Sequence, residues 1–253
     1  MKVIILAAGM GSRLKPLTND KPKCMVKLFN ETLIERQIKI FHNCNINDIT
    51  IVTGYRSEVI DFPNVNYVKN ANYETSGMNE SLFCALEPSD SPVLVTYGDI
   101  VFEQKIVQQM LKTTDGIRLA VNLNWKEYYQ NRTMHTSSEA ENVLIENGRI
   151  LQIRKNISKA LKNQQIGEFL GIMMLSSDQI KILLERYSDL KKNHTGTFHS
   201  SPSLHNAYLT DMLQEMINFG IHINPVFVEG RWLEIDTLED LKNAEKSIKK
   251  FQS

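Results

Sequence analysis

Four cations follow a glycine turn near the N-terminus, at a spacing that suits a polyphosphate. Residues 3–23 read Val-Ile-Ile-Leu-Ala-Ala-Gly-Met-Gly-Ser-Arg-Leu-Lys-Pro-Leu-Thr-Asn-Asp-Lys-Pro-Lys. Gly9 and Gly11 free the backbone to bend closely around a ligand and aim its N–H groups inward. Arg13, Lys15, Lys21 and Lys23 supply countercharge, and Pro16 and Pro22 stiffen the loop. Two other phosphate loops are excluded. A dinucleotide fingerprint would need glycine at position 14, which is Leu14, and no Gly-Lys-Ser/Thr follows as in a P-loop. A second chemical candidate is Asp99, directly after the apolar run Pro92–Tyr97. A carboxylate there reaches the ligand edge of a sheet and suits Mg²⁺, which takes one or two carboxylates plus substrate phosphates. As a lone Asp it could also cap the helix expected near Glu103, but its position favours the metal.

The elements that must position these groups read as an open α/β sheet. Val3–Leu6 is a buried strand, the face Leu33, Ile34, Ile38, Phe41 a helix, Ile49–Thr53 and Val65–Val68 further strands. A helix is expected over Asn79–Leu86, with Asn79 either its N-cap or a ligand contact. Strands follow at Ile117–Asn124, Val143–Glu146, Arg149–Arg154, Gly167–Leu175 and Ile223–Val228; Asn147-Gly148 is a two-residue hairpin turn. Ile180–Tyr187 and Tyr208–Phe219 are helical, and Thr237 with Asp240 reads as the capping box of a closing helix. Residues 192–206, with His194, His199 and His205, read as a flexible loop without metal-pair spacing. This β-α-β order places ligands at the carboxyl ends of the strands.

Bulk properties narrow the class. The chain has 253 residues, 42% of them hydrophobic, enough for one large α/β domain with an annex. Lys+Arg and Asp+Glu are 29 each, so no global basic excess favours nucleic acid. Cys24, Cys44 and Cys84 are widely spaced, as for reduced thiols in a cytoplasmic protein. No apolar run approaches the ~20 residues of a membrane span.

Leu6-Ala7-Ala8-Gly9-Met10-Gly11-Ser12-Arg13 followed by Lys21-Pro22-Lys23 resembles the signature of nucleotidyltransferases that activate sugar phosphates and related phospho-alcohols. The resemblance implies a Rossmann-like fold: an open, mostly parallel mixed sheet flanked by helices, with a small β-rich acceptor-binding insertion. A single domain is implied, about 1–124 for the nucleotide and about 125–253 for the acceptor. Leu6, Ala7, Ala8, Gly9 and Gly11 would wrap a nucleoside triphosphate, Arg13 would hold its leaving phosphates and Lys23 the reacting phosphate. Asn79-Glu80-Ser81-Leu82 and Tyr97-Gly98-Asp99-Ile100-Val101 are similar to the cytidylyltransferase branch that serves phosphocholine and aminoethylphosphonate. There Asn79, Ser81 and Tyr97 would lie over the base and ribose; the first stretch is one residue shorter here. Trp232-Leu233-Glu234-Ile235-Asp236 resembles the carboxy-terminal signature, which implies that Asp236 joins Asp99 on one Mg²⁺, or Mn²⁺.

On the acceptor side the resemblance implies roles for Lys155, just past the hairpin, and for Glu168 and Gly171. Trp125, Tyr128, Tyr129 and Trp232 could box a cationic nitrogen by cation–π contact or could be core. Asp211 could pair with an amino group or favour a helix dipole. The implied reaction transfers CMP from CTP to a small phospho- or phosphono-acceptor, releasing pyrophosphate. Phosphocholine, aminoethylphosphonate and the phosphoglutamine of capsule phosphoramidate synthesis are the acceptors of that branch, and monomer or homodimer both fit. A sugar-1-phosphate nucleotidylyltransferase is the nearest rival. A glycosyltransferase would need Asp-x-Asp, where Tyr97 and Val101 flank Asp99. A non-catalytic regulatory module would have lost the cations or carboxylates.

Overall fold

The computed structural model describes residues 1–130 and 132–249. In chain order the strands are β1 (Lys2–Leu6), β2 (Lys27–Leu28), β3 (Glu31–Thr32), β4 (Asp48–Thr53), β5 (Asn66–Lys69), β6 (Val93–Tyr97), β7 (Ile100–Phe102), β8 (Ile117–Asn122), β9 (Glu141–Glu146), β10 (Arg149–Lys155), β11 (Gln164–Leu175), β12 (Ile223–Phe227) and β13 (Trp232–Glu234). The α-helices are α1 (Leu33–Asn43), α2 (Met78–Ala85), α3 (Gln104–Met110), α4 (Ser177–Asn193), α5 (Leu209–Asn218) and α6 (Leu238–Lys249).

Val3, Ile4 and Ile5 are inaccessible to solvent, as a strand covered on both faces requires. Full burial of each such side chain contributes roughly 1.5–3 kcal/mol. β1 is the parallel neighbour of both β4 and β6 in a nine-stranded sheet ordered β5-β4-β1-β6-β11-β8-β12-β10-β9. β5, β4, β1 and β6 run parallel, and β11 then enters antiparallel to both β6 and β8. The expected mixed α/β sheet is therefore present, with its antiparallel part beyond β6. The Asn147-Gly148 hairpin joins β9 and β10, and the first half of β11 also pairs with β9. Two short ribbons, β2–β3 and β7–β13, complete the pairing.

Local chemistry explains the helix starts. Thr32 and Glu35 form a reciprocal capping box at α1. Thr237 and Asp240 do the same at α6, as their spacing predicts. α4 runs past Tyr187 because Ile180, Leu183, Tyr187 and Leu190 share one buried face. The stretch 192–206, expected to be a flexible loop, is packed instead: Phe198, Ser201 and Leu204 are buried, and Phe198 and Ser201 form a β-bridge. Its two apolar anchors outweigh the polar composition around them. Among the described residues no helix is long and apolar enough to cross a membrane, and all three cysteines are free thiols.

Candidate active site

Parallel register places the first two pieces of the site side by side. Leu6 pairs with Tyr97, and Gly98 N–H donates to the Leu6 carbonyl at 2.9 Å. The glycine turn after β1 and Asp99 after β6 therefore leave the sheet together. The β7–β13 ribbon then brings in the carboxy-terminal piece: Glu234 opposes Ile100, and Ile235 N–H donates to the Asp99 carbonyl at 3.1 Å. Asp99 and Asp236, far apart in sequence, meet because that ribbon closes.

Gly11 has φ 66°, and a Cβ there would lie 2.8 Å from Lys23 Cβ, so only glycine lets the turn pack on the lysine. Lys23 Nζ donates to Asp99 Oδ2 at 2.6 Å and also to Asp236 Oδ1. Arg13 Nη2 donates to Asp236 Oδ2 at 2.6 Å. Burial alone would lower the Lys23 pKa, but Asp99 and Asp236 outweigh it and raise it above the usual lysine range. Burial works against the Asp236 carboxylate too, yet His135, Lys23 and Arg13 hold its pKa well below the carboxylate range. Glu234 goes the other way, since burial together with Asp236 and Asp99 pushes its carboxyl well up.

These groups line a cleft of about 290 Å³. Lys155, Glu141, Glu168, Gly171 and Trp232 line it as well. Lys155 and Glu141 face each other across the β9–β10 hairpin. Lys155 Nζ donates to Glu139 Oε2 at 2.8 Å, and Tyr97 Oη donates to Glu141 Oε2 at 3.0 Å. Burial pushes Glu141 up to about 7 and Glu168 up to about 8. Glu168 Oε1 accepts from the Tyr129 hydroxyl while its buried Oε2 has no partner. Gly171, at φ 71°, sits where β11 shifts register, and a Cβ there would meet the Tyr97 ring at 2.6 Å. The cleft thus combines Lys23 and Arg13, on which two aspartates converge, with Lys155 beside Glu139 and Glu141.

Residues 3–243 match the MobA-like NTP transferase domain. The chain belongs to that family. The chain is 29% identical over 254 aligned residues to the CTP:phosphoglutamine cytidylyltransferase of Campylobacter jejuni subsp. jejuni, covering 96% of this chain and 98% of that one. The choline-phosphate cytidylyltransferase of Streptococcus pneumoniae is 33% identical over 118 residues, 45% of this chain and 52% of its own. Among solved structures, CTP:phosphocholine cytidylyltransferase from S. pneumoniae superposes with a TM-score of 0.73 at 22% identity, over 98% of both chains. The inositol-1-phosphate CTP transferase from T. maritima gives 0.71 at 20%, over 98% and 96%. These two show a common nucleotidyltransferase fold.

For a member of this NTP transferase family, the donor set around Asp99 fits a divalent cation. Asp99 Oδ1 is buried without a partner, and His135, Glu234 and Asp236 offer ligand atoms within 4.8 Å of one another. Carboxylate oxygens in that number suit a hard ion. Of the sequence candidates, Gly9, Gly11, Arg13, Lys23, Tyr97 and Asp99 line the cleft with Asp236, as do Lys155, Glu168, Gly171 and Trp232. Leu6, Ala7 and Ala8 are buried beneath the turn and offer backbone only.

Four candidates are placed otherwise. Asn79 and Ser81 sit on the buried side of α2: Asn79 is fully inaccessible, and Ser81 Oγ accepts from Asn70 at 2.9 Å. Trp125 packs with Tyr129 and Ala140 in a satellite core, and its indole N–H donates to the Ile166 carbonyl at 3.2 Å. Asp211 is buried, accepting from Ser200, Ser201 and the Tyr208 backbone N–H, so it caps α5 and ties down the preceding loop. Trp232 shows the cleft only part of its ring, with its indole N–H donated to the Leu170 carbonyl at 2.9 Å. Asn131, in the aromatic stretch 125–132, lies outside the described residues. The sequence reading missed His135, Glu139, Glu141 and Glu234. Glu234 stands inside a motif already singled out; Glu141 could have been found as the residue facing Lys155 across the hairpin. Nothing around His135 in sequence marks it.

Proposed function

We propose that the chain is a cytidylyltransferase that transfers CMP from CTP to a small phosphorylated or phosphonate acceptor and releases pyrophosphate. The observation that carries this is Lys23 bound to both Asp99 and Asp236, beside a glycine turn and Arg13. An oxyanion of the acceptor attacks the α-phosphorus; the new P–O bond forms as the bond to the β-phosphate oxygen breaks. No covalent enzyme intermediate is required, because the acceptor is already a nucleophile at neutral pH. The protein's task is to align two anions and offset their repulsion. The Gly9–Gly11 turn presents backbone N–H groups to the triphosphate, Arg13 neutralises the departing pyrophosphate and Lys23 the charge building on the α-phosphate. Lys155 holds the acceptor phosphate in line. Asp99 and Asp236 are the residues that would hold Mg²⁺, or Mn²⁺, whose contribution is to neutralise triphosphate charge.

CTP is supported by the two cytidylyltransferase relatives. Phosphoglutamine is the acceptor we favour, because the relative named for it aligns with nearly the whole chain. Lys155, exposed beside Glu139 and Glu141, supports an acceptor carrying both a phosphate and a cationic nitrogen. A cytoplasmic role in capsule or surface polysaccharide synthesis follows from that reading, as does independence of nucleic acid and membrane.

The test is pyrophosphate release from each nucleoside triphosphate against phosphoglutamine, phosphocholine, aminoethylphosphonate and sugar 1-phosphates. CTP with a phospho- or phosphono-acceptor should turn over fastest; preference for UTP or dTTP with a sugar 1-phosphate would overturn the proposal. Lys23→Ala and Asp99→Asn should each lower kcat by about a hundredfold or more, the usual cost of one transition-state contact. Near-normal turnover in either would remove its assigned role. Chelation of divalent ions should abolish turnover, and Mg²⁺ or Mn²⁺ should restore it.

A further inference from the structure

The segment that follows Tyr129 is fastened onto the turn that carries Asp236, side chain by side chain. Arg132 Nε donates to Asp240 Oδ1 at 2.8 Å. The backbone N–H groups of Thr133 and Met134 donate to Glu239 Oε2 at 2.8 and 2.9 Å, and Thr133 Oγ1 to Glu239 Oε1. This fastening carries His135 into the interior, where it is 2% exposed. Its Nδ1 lies 3.0 Å from Asp236 Oδ2 and 3.9 Å from Asp240 Oδ2, its Nε2 3.6 Å from Glu234 Oε2. An imidazole buried among three carboxyls is no apolar filler: those polar groups lose hydration and need compensating contacts.

We propose that His135 is a positioning residue for nucleotidyl transfer, holding Asp236 so that one carboxylate oxygen is directed at Asp99 and a shared divalent cation. This rests on the function proposed above. The two Asp236 oxygens divide the work: Oδ2 accepts from Arg13 and has His135 Nδ1 3.0 Å away, while Oδ1 faces Lys23 and, through it, Asp99. Arg13 is half exposed, so it is a weaker anchor for the carboxylate than a buried group. His135 is the buried one. Nδ1 is buried with no aligned hydrogen-bond partner, and Asp236 Oδ2 at 3.0 Å is the carboxylate oxygen nearest to it. Outer partners of metal-holding carboxylates set their orientation in this way.

The experiment is a titration of Mn²⁺ into the full-length protein in the presence of a non-hydrolysable CTP analogue, followed by the electron paramagnetic resonance of the free ion. It is run alongside kcat and KM, on wild type, His135→Ala and His135→Asn. The asparagine amide N–H can stand where Nδ1–H stood. His135→Ala should weaken Mn²⁺ binding by about 10–100-fold, the usual cost of losing an outer partner, and lower kcat while KM for CTP stays within about threefold. His135→Asn should recover most of the Mn²⁺ affinity. A folded His135→Ala that binds Mn²⁺ as wild type does, or an asparagine variant as impaired as the alanine one, would overturn the proposal.

Should His135→Ala fail to fold, Glu239→Ala loosens the same segment from its solvent side. It should weaken Mn²⁺ binding with no change in the carboxylates themselves, and unchanged binding counts against the proposal. If wild-type Mn²⁺ binding is indifferent to Asp99→Asn and Asp236→Asn, the function reading fails first and this inference falls with it.

Discussion

Burial pushes the Glu168 carboxyl up to about 8, against the opposing help of the Tyr129 hydroxyl and Arg132. Its unfolded value is about 4.3. As pH rises between these limits the unfolded chain releases the proton while the folded protein keeps it, so stability falls across that window and is level outside it. The contribution is on the order of a few kcal/mol at most. Glu168→Gln lacks this titration. Its melting temperature should gain on wild type between pH 5 and pH 8, and a pH-independent gap would show that Glu168 is ionised throughout. At this scale the motif residues were legible because glycine, arginine, lysine and aspartate at fixed spacings carry their chemistry with them. Glu168 was named without its charge state and Glu141 was missed, since a glutamate's charge state is set by neighbours that only the fold supplies. His135 was not legible at all: its role comes from Glu239 and Asp240, roughly a hundred residues away in sequence.

Trp125 shows how an element can redirect a residue. It opens a short 3₁₀ stretch, Trp125–Tyr129, which turns Trp125 and Tyr129 inward together, with ring centroids 5.9 Å apart. Sequence offered a cation box or core with equal force, because aromatics at close spacing serve both. The indole donor satisfied by Ile166 fits the core. Trp125→Ala should cost about 3–5 kcal/mol of stability, as large aromatic deletions do. Trp125→Phe should leave the acceptor KM within about twofold while losing the indole hydrogen bond, worth roughly 0.5–1.5 kcal/mol. A large KM rise in the phenylalanine variant, with stability kept, would return Trp125 to the acceptor. In β11 the constraint is backbone. Gly171→Ala would strain a positive φ and press on Tyr97, costing on the order of 1–3 kcal/mol in denaturant melts; an unchanged midpoint would mean that Tyr97 yields freely.

Across the molecule, the strand order interleaves the two parts that the sequence suggests. β6 and β8 are not neighbours; β11 lies between them, and β12 covers the far side of β8. A fragment ending at residue 124 therefore exposes both edges of β8 and one of β6, each rich in buried apolar side chains. We expect it to aggregate, without the cooperative melt of the full chain; a soluble fragment with slow amide exchange in β1 and β6 would contradict this. The parallel half was legible from its continuous apolar runs. The return of β11 into that half was not, because strand pairing at long range leaves no periodic mark. That return has a cost for anyone wishing to retune which acceptor is used. Glu168 and Gly171 share a strand with Met173 and Met174, deep in the common core, and Gly171 abuts Tyr97. Substitutions there should disturb both substrates at once. Selectivity is more freely altered around the exposed end of β10, where Lys155 meets Glu139 and Tyr208 outside the sheet core.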